Sequence, residues 1–241
     1  MADRFYLSTP PVGSRATLEG PEAHHLLHVM RAREGDCVTL FDGSGTEMSA
    51  RIEQCGRAEV VLEVLESHPI DRELGYPITL GVSLPKGDRQ KWLVEKAVEL
   101  GVGQIVPLIS ERGVAQPKSS ALARLERSVI EASKQCGRNR LMEIAPPMGW
   151  DLFLNDRCDA TACWVAHPGG SALREVRAAS GDQVPNAYRL AIGPEGGFSD
   201  AEISEATSGG WQIVDLGPRI LRIETAAALL VAMVVSTQPD D

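Results

Sequence analysis

Nowhere in the chain do two cysteines stand as a CxxC pair. The five that occur (Cys37, Cys55, Cys136, Cys158 and Cys163) are scattered and odd in number, which excludes a disulfide framework and a zinc knuckle and points to a reducing cytoplasm. Long hydrophobic runs are missing as well. The most apolar stretch, AAALLVAMVV at 226–235, is too short to cross a bilayer, so no membrane partner is expected. The start, MADRFYLSTPPVG, carries Asp3 and Arg4 and no apolar core of the kind a secretory signal needs, so a cytoplasmic location is expected. Two phosphate-binding signatures are absent: a glycine loop ending in Lys and Ser or Thr, and a GxGxxG that opens a helix. Lysine itself is absent after Lys134. The trio His24, His25 and His28 has no carboxylate pattern beside it, so it is read as core or surface histidine, and no metal is expected.

What is present describes an ordinary globular chain, with 43% apolar and 24% charged residues over a length that allows one large domain or two smaller ones. The net charge of −9 is unevenly spread. Residues 1–75 hold 7 basic and 13 acidic side chains, 143–241 hold 6 and 14, and 86–142 hold 11 and 6. The positive middle is either an electrostatic footprint for a polyanion or a solvated basic helix.

Residues 1–72 alternate like short strands, with DGSG at 42–45 as a hairpin turn and PEAHHLLHVMRAREGD as a helical interruption closed by Gly35. A small β-barrel is expected there. From about residue 76 the rhythm changes. Strands are expected at 78–84, 104–110, 160–166, 188–192 and 211–216. Helical segments stand between them, including RQKWLVEKAVELG with Gly101 as its cap and SSALARLERSVIEASKQCG. That alternation implies a mostly parallel sheet covered on both faces, with the break between the two parts in SHPIDRELGYP. Trp92, Trp150, Trp164 and Trp211 are read as core residues.

Ligands of open α/β sheets sit beyond the carboxyl ends of strands, which singles out HPGG, GPEGGFS and GPRILRIETA. In the second of these, Glu195 would oppose a phosphate. Gly193, Gly196 and Gly197 admit close backbone approach, Pro194 stiffens the turn, and Ser199 with Glu202 forms a capping box for the next helix. The loop suits a ligand with a cationic or neutral face, and equally a tight turn with no ligand.

IGPEGGFSDAE together with LGPRILRIETAAA resembles the C-terminal signature of the SPOUT methyltransferases, and specifically of the 16S ribosomal RNA (uracil-N3)-methyltransferase family. HHLLHVMR, FDGSG, KGDRQKWLVEKAVELGV, IVPLISERGV and IEASKQCGR extend the likeness over nearly the whole chain. Ile223 stands where that pattern has a threonine.

The resemblance implies an α/β fold: a PUA-like β-barrel over 1–72 that binds RNA, followed over 73–241 by a SPOUT-type, trefoil-knotted, mostly parallel sheet domain. It implies a homodimer that binds S-adenosylmethionine and acts on 16S ribosomal RNA or the small subunit. Cofactor contacts are expected at His167, Pro168, Gly193, Pro194, Glu195, Gly196, Leu216, Gly217, Ile220, Leu221, Glu224 and Thr225. Arg222, Arg138 and Glu195 are the candidates for catalysis, and Arg4, Arg31, Arg138 and Arg219 for RNA contact. Glu195 and Glu224 are open to two readings, proximity to the sulfonium or a helix-start role. No residue stands out as general base. The rival expectations are a ribose 2′-O-methyltransferase of the same class and a non-catalytic RNA-binding assembly factor.

Overall fold

The computed structural model describes residues 3–113, 119–156, 161–172, 175–176 and 185–236; Cys158 and Ala160 lie outside them. The chain divides into two compact units, one of residues 1–73 with 130–141 and one of residues 74–129 with 142–241.

The first unit is built on a five-stranded sheet in the order β1-β3-β4-β5-β2, from β1 (Arg4–Tyr6), β2 (Arg15–Glu19), β3 (Cys37–Phe41), β4 (Thr46–Cys55) and β5 (Glu59–Pro69). Pairings are antiparallel except β1 with β3. Alternation along β4 buries Met48, Ala50 and Ile52 in a core shared with Phe5, Leu18, Leu26 and Leu62. The DGSG turn forms as its composition demands, with Gly43 at φ +85° and Gly45 at φ +101°. The helical interruption is α1 (Gly20–His24), which runs on into a π-helical turn over His25–Val29 and buries Ala23 and Leu26.

The second unit carries a parallel sheet in the order β12-β10-β11-β6-β7-β8, with β9 also on β7. Its strands are β6 (Ile78–Val82), β7 (Gln104–Ile109), β8 (Glu143–Ile144), β9 (Met148–Gly149), β10 (Thr161–Ala172), β11 (Ala187–Ile192) and β12 (Gln212–Asp215). Helix α2 (Arg89–Glu99) buries Leu93, Val94, Ala97 and Val98, the helical spacing of one face. Leu93, Val94 and Val98 each stabilise by about 1.5–3 kcal/mol relative to exposure. Gly101, at φ +82°, lets the chain leave that helix. Helix α3 (Ser119–Cys136), whose residues from 130 onward count with the first unit, comes next in the chain, then α4 (Trp150–Asn155).

Trp150, Phe153, Phe198 and Trp211 interlock in one cluster, with the Trp150 and Phe198 ring centroids 4.3 Å apart. Gly81 is required beneath it, since a Cβ there would lie 2.4 Å from the Phe153 ring. Trp150, Trp164 and Trp211 are buried as the sequence suggests, whereas Trp92 is 41% exposed. Helix α5 (Asp200–Ser208) packs on β12, and α6 (Ile223–Val235) packs on α2, β11 and β6.

Candidate functional site

Because β12, β10 and β11 are adjacent and parallel, their carboxyl ends lie side by side, and the three glycine-containing segments singled out above meet there. Each is shaped by its own sequence. Ala166 and Ser171 both pair with Val214, so the four residues His167–Gly170 are extruded from the edge of β10. Gly170 closes that bulge; a Cβ on it would fall 2.6 Å from the Ile213 carbonyl. After β11, Gly193 passes so near Phe198 that a Cβ would touch the ring at 3.0 Å, and Gly197 takes φ +69°.

The capping box then forms as read from the sequence. Glu202 N–H donates to Ser199 Oγ, and Ser199 N–H donates to Glu202 Oε2 at 2.7 Å. The other Glu202 oxygen accepts from the Glu111 N–H at 2.8 Å, which ties this loop to the segment after β7. After β12, Gly217 turns the chain at φ +110°. Its N–H and that of Gly169 donate to separate oxygens of Asp215, at 2.7 and 3.1 Å. Those two amide bonds, the Gly217 one foremost, hold the Asp215 carboxyl below the usual range.

These loops enclose a cavity of about 330 Å³. Ten expected cofactor contacts line it: His167 and Pro168 from the β10 bulge, Gly193–Gly196 from the second loop, and Leu216, Gly217, Ile220 and Leu221 from the third. Arg219 lines it as well. Arg222, Glu224 and Thr225 stand at the start of α6, outside the lining. Glu224 is buried; its Oε2 accepts no hydrogen bond, and Arg89 Nη1 lies 3.8 Å away. Glu195 also meets Arg89, whose Nη2 donates at 3.3 Å.

Arg4, Arg31 and Arg138 belong to the first unit. Arg138 is buried, with its guanidinium donating to both oxygens of Glu73. Arg4 donates to Glu47 and Asn139. Arg31 is exposed and holds a positive φ of 57°. The His24 and His28 rings meet at a tilt, centroids 4.7 Å apart, and no group of potential metal ligands occurs among the described residues.

Sequence reasoning missed Arg112, Phe198, Asp200, Asp215 and Arg89. Arg112 donates to the carbonyls of Gly196 at 3.1 Å and Phe198 at 3.4 Å. It follows β7, so reading the end of every strand in the sheet would have found it.

A pocket at the strand ends of a parallel sheet, in a chain with a separate small β unit, matches a known class. The chain belongs to the RNA methyltransferase family: the RNA methyltransferase domain matches residues 72–235, and the RNA methyltransferase PUA domain matches residues 18–65. Among its relatives is ribosomal RNA small subunit methyltransferase E of Synechocystis, 32% identical over 92% of this chain and 73% of the relative. The enzyme of that name from Neisseria gonorrhoeae, solved with S-adenosylmethionine, is 33% identical and superposes with a TM-score of 0.86 over 98% of both chains. A Legionella pneumophila methyltransferase, also solved with S-adenosylmethionine, is 31% identical over 98% of both chains with a TM-score of 0.87.

Proposed function

We propose that the protein transfers a methyl group from S-adenosylmethionine to N3 of a uridine in 16S ribosomal RNA. It acts in the cytoplasm as a homodimer, on that RNA or on the small subunit. The observation that carries this reading is the three-loop pocket in a chain of the RNA methyltransferase family.

The pocket fits the cofactor on its own chemistry. Its volume lies within the range of small-molecule sites. Glycines 193, 196, 197 and 217 leave main-chain groups uncovered, and Ile192, Leu216, Leu221 and Ile223 supply apolar surface. Among the described residues, three lining carboxylates (Glu195, Asp200, Asp215) oppose two guanidiniums, a balance suited to a cation and unsuited to a polyphosphate. When bound, S-adenosylmethionine supplies a methyl group activated by a sulfonium centre.

The chain's own residues hold and orient. The main chain around Gly193, Pro194, Gly196, Leu216, Gly217, Ile220 and Leu221 grips the adenosyl part, with His167 and Pro168 bordering it. Glu195 and Arg89 fix the turn that carries the second loop, and Glu224 and Thr225 open α6 behind the third. Arg219 and Arg222 present guanidiniums to uracil oxygens, where negative charge grows as N3 loses its proton. Arg31 serves the first unit as a phosphate contact, and Arg4 and Arg138 shape that RNA-binding unit through their carboxylate partners. The C-terminal segment forms a trefoil knot. The dimer is supported by α6, an almost wholly apolar helix whose Ala228, Leu229, Ala232, Met233 and Val235 stay half-buried, and by Ile220, 98% exposed nearby in sequence.

Mass spectrometry of ribosomal RNA nucleosides from a deletion strain tests the reading. N3-methyluridine disappears if it holds, and an unchanged level overturns it. A lost 2′-O-methyl nucleoside would instead establish the ribose enzyme, and failure to bind S-adenosylmethionine in calorimetry would establish a non-catalytic factor.

A further inference from the structure

Methylation of a uracil N3 needs an acceptor for the imide proton, and the pocket narrows the choice to one side chain. Among the described residues, six ionisable ones line it: Arg112, His167, Glu195, Asp200, Asp215 and Arg219. The guanidiniums carry no free lone pair. Asp215 already accepts the Gly217 and Gly169 amides, which stabilise its ionised form and weaken it as a base. Glu195 is engaged by Arg89 at 3.3 Å. Asp200 is the first residue of α5, where its carboxylate serves the helix N-terminus.

His167 differs from all of these. Its Nδ1 lies 2.8 Å from the Pro168 carbonyl oxygen. A carbonyl only accepts, so Nδ1 carries a hydrogen, and in the neutral ring the lone pair is then on Nε2. The segment that sets this tautomer is itself pinned, by the Gly169 N–H on Asp215 and by the fit of Gly170 against Ile213. The extrusion of His167–Gly170 between two residues that share Val214 as partner thus presents an imidazole with a fixed acceptor nitrogen at the pocket wall.

We propose that His167 is the general base of the methyl transfer. This rests on the reading that uracil N3 is the methyl acceptor. Nε2 takes the N3 proton and the ring becomes imidazolium. The nitrogen pair so freed forms the N–C bond as the C–S bond breaks, and the C–S electron pair stays on sulfur, which leaves as a neutral thioether. The imidazolium then returns its proton to solvent.

The test uses the full chain with small subunits from a strain that lacks the enzyme. His167→Gln keeps bulk at the wall but accepts no proton; its turnover falls by about 100-fold or more, the scale of general base catalysis. Its Kd for S-adenosylmethionine, read by calorimetry, rises far less than turnover falls, because His167 also borders the cofactor pocket. His167→Glu restores an acceptor and part of the rate, and added imidazole restores turnover to His167→Ala. Turnover of His167→Gln within about threefold of the wild type overturns the assignment. So does a rate loss matched by an equal loss of cofactor affinity, with imidazole without effect, since His167 is then only wall. A wild-type product other than N3-methyluridine overturns the uracil reading and the base assignment with it.

Discussion

Asp215 shows how one side chain serves two loops. Its carboxylate takes amides from Gly217 and Gly169, so the walls after β12 and β10 share a single clasp. Since the folded value is depressed, the clasp is complete above the ordinary carboxylate range and is lost only as pH falls through the lowered native value. S-adenosylmethionine affinity, measured by calorimetry, is therefore expected to be insensitive to this group from pH 8 to about pH 5, and Asp215→Ala is expected to weaken it at every pH in that window. Gly170 offers a steric counterpart. A Cβ there meets backbone atoms at 2.6 Å, which cannot swing aside as a side chain could. Gly170→Ala is expected to displace the bulge and to lower both cofactor affinity and the melting temperature.

At the scale of elements, the capping box of α5 couples helix stability to pocket shape. Ser199→Ala removes one cap and is expected to cost about 1 kcal/mol in urea unfolding. Glu202 does more. It is buried and accepts from both the Ser199 and Glu111 N–H groups, so Glu202→Ala leaves two donors unsatisfied and is expected to cost about 2–4 kcal/mol. Cofactor affinity is expected to fall further for Glu202→Ala than for Ser199→Ala, because Glu202, unlike Ser199, also bonds the segment that carries Arg112. Helix α6 buries Ile223, Ala227, Leu230, Val231 and Val234 within its own unit and leaves a second apolar face half-covered. Leu229→Glu on that second face is expected to convert the proposed dimer to monomer in sedimentation equilibrium.

At the scale of the molecule, positive charge matters by where it is already spent. The middle of the sequence is basic, but Lys134 is bonded to Glu22 and Glu131, Lys96 to Glu99, and Arg138 to Glu73. Arg138→Ala would leave Glu73 without that guanidinium and is expected to cost about 3 kcal/mol of stability in urea unfolding. RNA affinity is expected to fall steeply between 50 and 200 mM salt as phosphate contacts release counterions. Cofactor affinity, which the proposed main-chain and apolar contacts would govern, is expected to stay nearly constant over the same range. No helix among the described residues is long and apolar enough to cross a membrane.

Features that depend on neighbours in sequence were legible from it. The glycine turn at 42–45, the Gly101 exit, the Ser199 and Glu202 box and the three strand-end loops rest on φ angles, caps and spacings that a few consecutive residues dictate. The alternation after residue 76 was likewise enough to name a parallel sheet. What only the tertiary structure decided depends on strand order, which brings 167–170, 193–199 and 216–221 together although they lie far apart in the chain. That adjacency made Asp215 a clasp, put Arg112 under the second loop and joined Arg89 to both Glu195 and Glu224; in the first unit, the fold likewise paired Arg138, a candidate for catalysis and RNA contact, with Glu73. Such roles arise from partners dozens of residues away, and no local pattern of residues encodes the distance between them.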